Sequence, residues 1–289
     1  MVNILVTGAD GQLGSEIRKK HATLNSFNFE FTDVSSLNIT SMDELEKYFS
    51  SRSIQYIINC AAYTNVDKAE SDYDTAYKVN VLAIKNLAEI SKKYSCKIIH
   101  ISTDYVFDSA LQNYPFKEDD SPNTKSAYGS TKLLGEQALN DLGGHIIIRT
   151  SWLYSSFGHN IVKTILRLGA ERTELGFVFD QVGTPTYAGD LAVAILQIVV
   201  HSEKNEIFNS GIYHYSNEGV CSWFDFAVAV IKKCGYQCKI NPIETKDYPL
   251  PAKRPAYSVM NKSKIKSTFQ LEIPYWTDSL DVCLKEILG

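Results

Sequence analysis

Three glycines at the end of the first apolar run constrain this chain more than any other feature. Val2-Asn-Ile-Leu-Val-Thr7 reads as a short buried strand, Gly8, Gly11 and Gly14 follow at once, and Ser15-Glu-Ile-Arg-Lys-Lys20 continues as a helix. Such a turn brings a closely approachable backbone, free N–H groups and the positive end of a helix dipole to one point. That is a cradle for a pyrophosphate. The spacing is Gly-x2-Gly-x2-Gly rather than the Gly-x-Gly-x2-Gly of the commoner dinucleotide cradle.

The rest of the first half repeats the alternation. A strand over Phe27–Thr32 is followed by a helix near Asp43–Phe49 and a strand over Gln55–Asn59. One long helical stretch is expected over Asp67–Tyr94, then strands over Lys97–Ser102 and His145–Arg149. This predicts an α/β fold, a Rossmann-type doubly wound parallel sheet, with a smaller interleaved C-terminal substrate lobe. Residues 1–150 are expected to form the dinucleotide-binding domain, with a returning segment near 177–203. Residues 151–176 and 204–289 are expected to form the second lobe, including a strand over Ile212–Tyr215, while a strand over Phe177–Asp180 lies in the returning segment. Asp33 closes the second strand, 19 residues after Gly14, where a carboxylate meets the adenosine ribose hydroxyls. It would repel a 2′-phosphate, which favours NADH over NADPH; an Asp closing a strand is also ordinary turn chemistry.

Composition excludes several classes. The 289 residues are 44% hydrophobic with net charge −4, and no Lys/Arg run points to nucleic acid or an anionic membrane surface. No apolar stretch reaches membrane-spanning length, and the start lacks a basic secretory region. The six cysteines are scattered and form no zinc pattern, so reduced thiols in a cytoplasmic protein and no metal site are expected. The six histidines are equally dispersed and none is assigned a role.

Tyr128-Gly-Ser-Thr-Lys132 sets a phenol and an ammonium one helical turn apart on one face. Alone, the pattern reads as a surface pair. A nearby cation lowers a phenol's pKa and makes it usable in acid–base chemistry near neutral pH. Thr103, at the end of the Lys97 strand, can hydrogen-bond the carbonyl that Tyr128 protonates; alone it reads as a strand-end hydroxyl bonding its own backbone. Thr103, Tyr128 and Lys132 together form a triad for carbonyl reduction.

At full length the chain resembles the dTDP-4-dehydrorhamnose reductase family of extended short-chain dehydrogenases/reductases. The resemblance lies in Val6-Thr-Gly-Ala-Asp-Gly-Gln-Leu-Gly14, Asn59-Cys-Ala-Ala-Tyr-Thr-Asn-Val-Asp-Lys-Ala-Glu70, Ser102-Thr-Asp-Tyr-Val-Phe107, Tyr128-Gly-Ser-Thr-Lys132, Arg149-Thr-Ser-Trp152, Asp180-Gln-Val-Gly-Thr-Pro-Thr186 and Arg254-Pro-Ala-Tyr-Ser258. It implies reduction of dTDP-4-dehydro-L-rhamnose by NADH or NADPH. It further implies Gly8, Gly11, Gln12, Leu13 and Gly14 at the pyrophosphate, Asp33, Asn38 and Ile39 around the adenosine, and Ala62, Tyr63 and Thr64 under the cofactor. Thr103, Asp104 and Trp152 would contact the sugar, and Arg254 would lie near the nucleotide end. A homodimer with Mg2+ at its interface is a further implication, although no acidic cluster has the ligand spacing to establish the metal. Asn38 stands where the family often has Asp, and Val182 where an aromatic is frequent.

Other readings stay open at this point. Reduction of another nucleotide-4-keto-6-deoxysugar needs the same triad. A dehydratase needs Asp-Glu after the Ser-Thr, but the pair is Asp104-Tyr105. An epimerase would hold NAD through its cycle. A non-catalytic nucleotide-binding regulatory subunit would need the glycine turn but not the full triad.

Overall fold

The computed structural model describes residues 1–107, 113–140 and 143–289. Its first half runs β1 (Val2–Thr7), α1 (Gln12–Lys20), β2 (Phe27–Thr32), α2 (Met42–Ser50), β3 (Tyr56–Asn59), α3 (Val66–Ala69), α4 (Tyr73–Tyr77), α5 (Ala83–Tyr94), β4 (Lys97–Thr103), α6 (Ala127–Asn140) and β5 (His145–Thr150). The second half runs β6 (Leu153–Tyr154), α7 (Ile161–Glu171), β7 (Glu174–Val178), β8 (Val182–Gly183), β9 (Thr186–Tyr187), α8 (Ala188–Asn205), β10 (Gly211–His214), β11 (Cys221–Ser222), α9 (Trp223–Cys234), β12 (Lys239–Ile243), α10 (Ser263–Phe269) and α11 (Trp276–Leu288).

Six strands form a parallel sheet in the order β10-β5-β4-β3-β1-β2. The pleat sends alternate residues to opposite faces, and both faces are covered. Ile4, Val6, Ile58, Ile146 and Ile148 pack under α1, α8 and α10. Leu5, Ile57, Ile98 and Ile147 pack under α2, α5 and the end of α6. The chain moves outward from β1 to β2 and then returns to β3 on the other side. A doubly wound sheet opens a ligand crevice at such a switch point, beyond the carboxyl ends of its strands.

Three sequence expectations shift. The stretch 67–94 is not one helix: α3 and α4 are separate, and a π-turn at Lys78–Leu82 precedes α5. Asn80, inside that turn, accepts the Tyr63 N–H and donates to the Tyr63 carbonyl oxygen and to Thr131. These long-range bonds hold a bulge that local periodicity does not announce. The strand expected over Phe177–Asp180 is β7, which pairs with β12 in a separate two-stranded sheet. The strand expected in the second lobe at 212–215 is β10, the sixth strand of the main sheet, paired with β5. A further core joins α7, α9 and α11 through Val162, Ile165, Phe226, Val230 and Leu280. No helix among the described residues is long and apolar enough to cross a membrane.

Candidate active site

A cavity of about 770 Å³ opens at the switch point, within the size range of small-molecule sites. One end is the glycine turn. Gly8 has φ +65°, and a Cβ there would stand 2.5 Å from the Ala61 backbone nitrogen across the crevice. A Cβ on Gly14 would stand 2.5 Å from both the Ala9 Cα and the Gly8 carbonyl oxygen. Glycine is therefore required at both, by conformation and by approach. Helix α1 starts beyond Gly11 with no side-chain cap and no acidic residue in its first turn, so its amide end is left for an anion. Gln12 Oε1 is buried there without a protein partner among the described residues. This cradle fits a dinucleotide pyrophosphate.

Asp33 is held in place at the same end. Its Oδ2 accepts the Asp10 N–H at 3.1 Å and its Oδ1 the Val34 N–H at 2.7 Å. Asn38 also lines the cavity, with its Oδ1 accepting both the Thr40 N–H and hydroxyl.

The other end carries the reactive groups. Strand β4 ends at Thr103, whose Oγ1 accepts the Tyr105 N–H at 3.2 Å and donates to Asp104 at 3.0 Å. Helix α6 is launched by Ser126, whose hydroxyl accepts the Gly129 N–H, and by Glu70, which accepts the Ala127 N–H. Tyr128 and Lys132 lie one turn apart on the cavity face of α6, both buried. Beneath them Glu136 and Arg149 form a buried ion pair at 2.7 Å, and Ser102 donates to Glu136.

Titration at this end departs from the sequence expectation. Burial pushes the Tyr128 phenol up to about 12, with a Thr103 hydrogen bond pulling the other way. The phenol is thus held neutral, the form a proton donor needs. Among the described residues, Lys132 Nζ is bonded to the Ile101 carbonyl oxygen at 2.7 Å and faces His100 Nε2 at 3.4 Å. Burial brings Lys132 down to about 8. Desolvation is the largest influence on both groups because both are enclosed. Burial likewise raises Asp104 to about 6.

Of the residues picked from sequence, Gly8, Gly11, Gln12, Leu13, Gly14, Asp33, Asn38, Ile39, Ala62, Thr64, Thr103, Asp104, Tyr128, Lys132 and Trp152 line this one cavity. Trp152 adopts φ +48°, uncommon for a bulky side chain, and its ring stacks on Trp223 at 3.6 Å. Two residues fall outside the lining. Tyr63 turns its hydroxyl to Asp72. The Arg254 fork, expected at a ligand phosphate, grips both oxygens of Asp67 at 2.8 and 2.7 Å. Sequence reasoning missed the wall formed by Gly158, His159 and Asn160, and it missed His100. Gly158 lies against Gln12, a contact across the fold that no local spacing encodes. Among the described residues, no cluster of three or more His, Cys, Asp or Glu side chains is arranged to hold a metal ion.

Comparison with known proteins agrees with this geometry. Residues 2–288 match the family model described as the RmlD substrate binding domain. The dTDP-4-dehydrorhamnose reductase of Aggregatibacter actinomycetemcomitans is 40% identical, the match covering 97% of each chain. A crystal structure of the Clostridium acetobutylicum dTDP-4-dehydrorhamnose reductase superposes with TM-score 0.93 at 41% identity, covering all of both chains. That of Bacillus anthracis, in complex with NADP, superposes with TM-score 0.92 at 35% identity, covering 99% of this chain and all of the other.

Proposed function

The chain belongs to the dTDP-4-dehydrorhamnose reductase family, and from that premise we propose that Tyr128 is the acid that completes reduction of the C4 ketone of dTDP-4-dehydro-L-rhamnose to dTDP-L-rhamnose. The protein is a nicotinamide-dependent sugar-nucleotide reductase. The reduced nicotinamide, when bound, supplies hydride to the carbonyl carbon. Tyr128 donates its phenolic proton to the carbonyl oxygen, and Thr103 stabilises the negative charge that develops there. Lys132 holds the nicotinamide ribose and returns a proton to the phenolate. Asp104 and Trp152 contact the sugar. Gly8, Gly11, Gln12, Leu13 and Gly14 hold the pyrophosphate, with Asp33, Asn38 and Ile39 at the adenosine and Ala62 and Thr64 beneath the cofactor.

One observation carries the reading: a phenol kept neutral by burial and an enclosed lysine share a cavity with a glycine turn at an uncapped helix start. NADH is the preferred reductant, because the fixed Asp33 carboxylate opposes a 2′-phosphate. The NADP bound to the Bacillus anthracis relative makes the ratio of the two rates the deciding quantity. The test is oxidation of NADH and of NADPH with the 4-keto sugar nucleotide, with the product identified by its stereochemistry. Tyr128→Phe is expected to lose at least about 100-fold in turnover, the scale of general acid catalysis, while keeping NADH affinity. Full activity in that variant would remove Tyr128 from the mechanism.

A further inference from the structure

His100 has no exposed surface, sits in β4 under the reactive end of the cavity, and is used by nothing in the mechanism above. Its surroundings fix which ring nitrogen carries the proton. The Asn59 carboxamide oxygen accepts the Thr7 hydroxyl at 2.6 Å and the Ala61 N–H at 3.3 Å. Two donors on that oxygen orient the amide, so its NH2 group faces His100 Nδ1 at 2.9 Å. Nδ1 is therefore an acceptor. A neutral imidazole then bears its hydrogen on Nε2, and Nε2 points at Lys132 Nζ. An ammonium has three hydrogens and no lone pair, so the Nε2–H and a charged Lys132 are donor against donor. An amine has a lone pair and can accept that hydrogen.

We propose that His100 is a positioning residue acting through Lys132: its Nε2–H bonds the amine form of Lys132 and opposes the ammonium form. The consequence is an acidic lysine that readily passes its proton on towards Tyr128. The other groups around the pair do not supply this discrimination. His145, from β5, is lowered by burial and stays neutral. The Cys60 thiol is pushed up to about 12 by burial. Glu136, one turn along α6, is committed to Arg149 and attracts the lysine cation rather than opposing it. His100 itself is held well below its ordinary value by burial, next by Lys132 and then by His145, so it remains uncharged.

The inference rests on the reading of Lys132 given above, but its test uses protein free of cofactor and substrate and is separate from turnover. Nitrogen NMR of histidine-labelled protein is expected to find His100 neutral with the proton on Nε2 between pH 6 and 8. A proton on Nδ1, or an imidazolium, would overturn the proposal without any variant. The second measurement follows the Lys132 Cε resonance against pH, assigned by its loss in Lys132→Met. In His100→Gln the amide can turn its oxygen to the ammonium, so the midpoint is expected to rise by about one pH unit, a roughly tenfold change in the ammonium-to-amine ratio. An unchanged midpoint would refute the role. The alkaline limb of the pH–rate profile should move with it, whereas a merely structural His100 would lower the rate at every pH alike.

Discussion

Asp104 offers a quantitative test of how this site is built, through the substitution Asp104→Asn. The side chain is 2% exposed and its Oδ2 has no hydrogen-bond partner among the described residues. Burial raises its carboxyl from 3.8 to about 6, against bonds from Ser258, Thr103 and the backbone. The native protein thus keeps this proton to about pH 6, whereas the unfolded chain releases it near 3.8. Stability tied to the neutral acid is fully present below 3.8 and is lost as pH rises through about 6. At 1.36 kcal/mol per pH unit, the gap between 3.8 and about 6 corresponds to about 3 kcal/mol. An amide never ionises, so Asp104→Asn escapes this loss. Urea unfolding of both proteins should give a stability difference that grows by about 2.5 kcal/mol between pH 4 and pH 7, in favour of Asn. A fixed difference between amide and carboxyl contacts displaces the whole curve, so the slope carries the test. A difference flat from pH 4 to pH 8 would refute burial as the dominant influence on Asp104. The variant should also reduce turnover, which would mark a functional group kept at a cost in stability.

Two further outcomes follow from the same packing. Glu136→Leu leaves Arg149 buried without its partner and should cost about 3–5 kcal/mol in urea unfolding, with the double variant Glu136→Leu/Arg149→Met recovering much of that loss. Gly14→Ala pushes a methyl into Ala9 and the Gly8 carbonyl; it should cost about 1–3 kcal/mol and weaken NADH binding, read by fluorescence titration, by tenfold or more.

Much of the site was legible because its pieces follow strand ends in short, regular motifs. Gly8–Gly14, Asp33, Thr103 and Tyr128–Lys132 are each placed by local geometry: a turn that only glycine permits, a strand terminus, and one helical turn. The pairing of Arg254 with Asp67 was not legible, for the opposite reason. The two are 187 residues apart, and nothing near either residue announces the pair. The π-turn at Lys78–Leu82 depends in the same way on Asn80 reaching Tyr63 and Thr131.

The alternation of strands and helices, the glycine turn and the pairing of phenol with lysine could be read from the chain, since each is set by periodicity and conformational freedom within a few residues. The proton affinities and the edge of the sheet, by contrast, are set by contacts between distant segments. The neutral phenol and the acidic lysine come from desolvation by the elements packed around them. Strand β10 joins the main sheet because β5 offers its backbone there. Burial and strand pairing are sums over residues distant in the chain, and such sums exist only once the chain has folded.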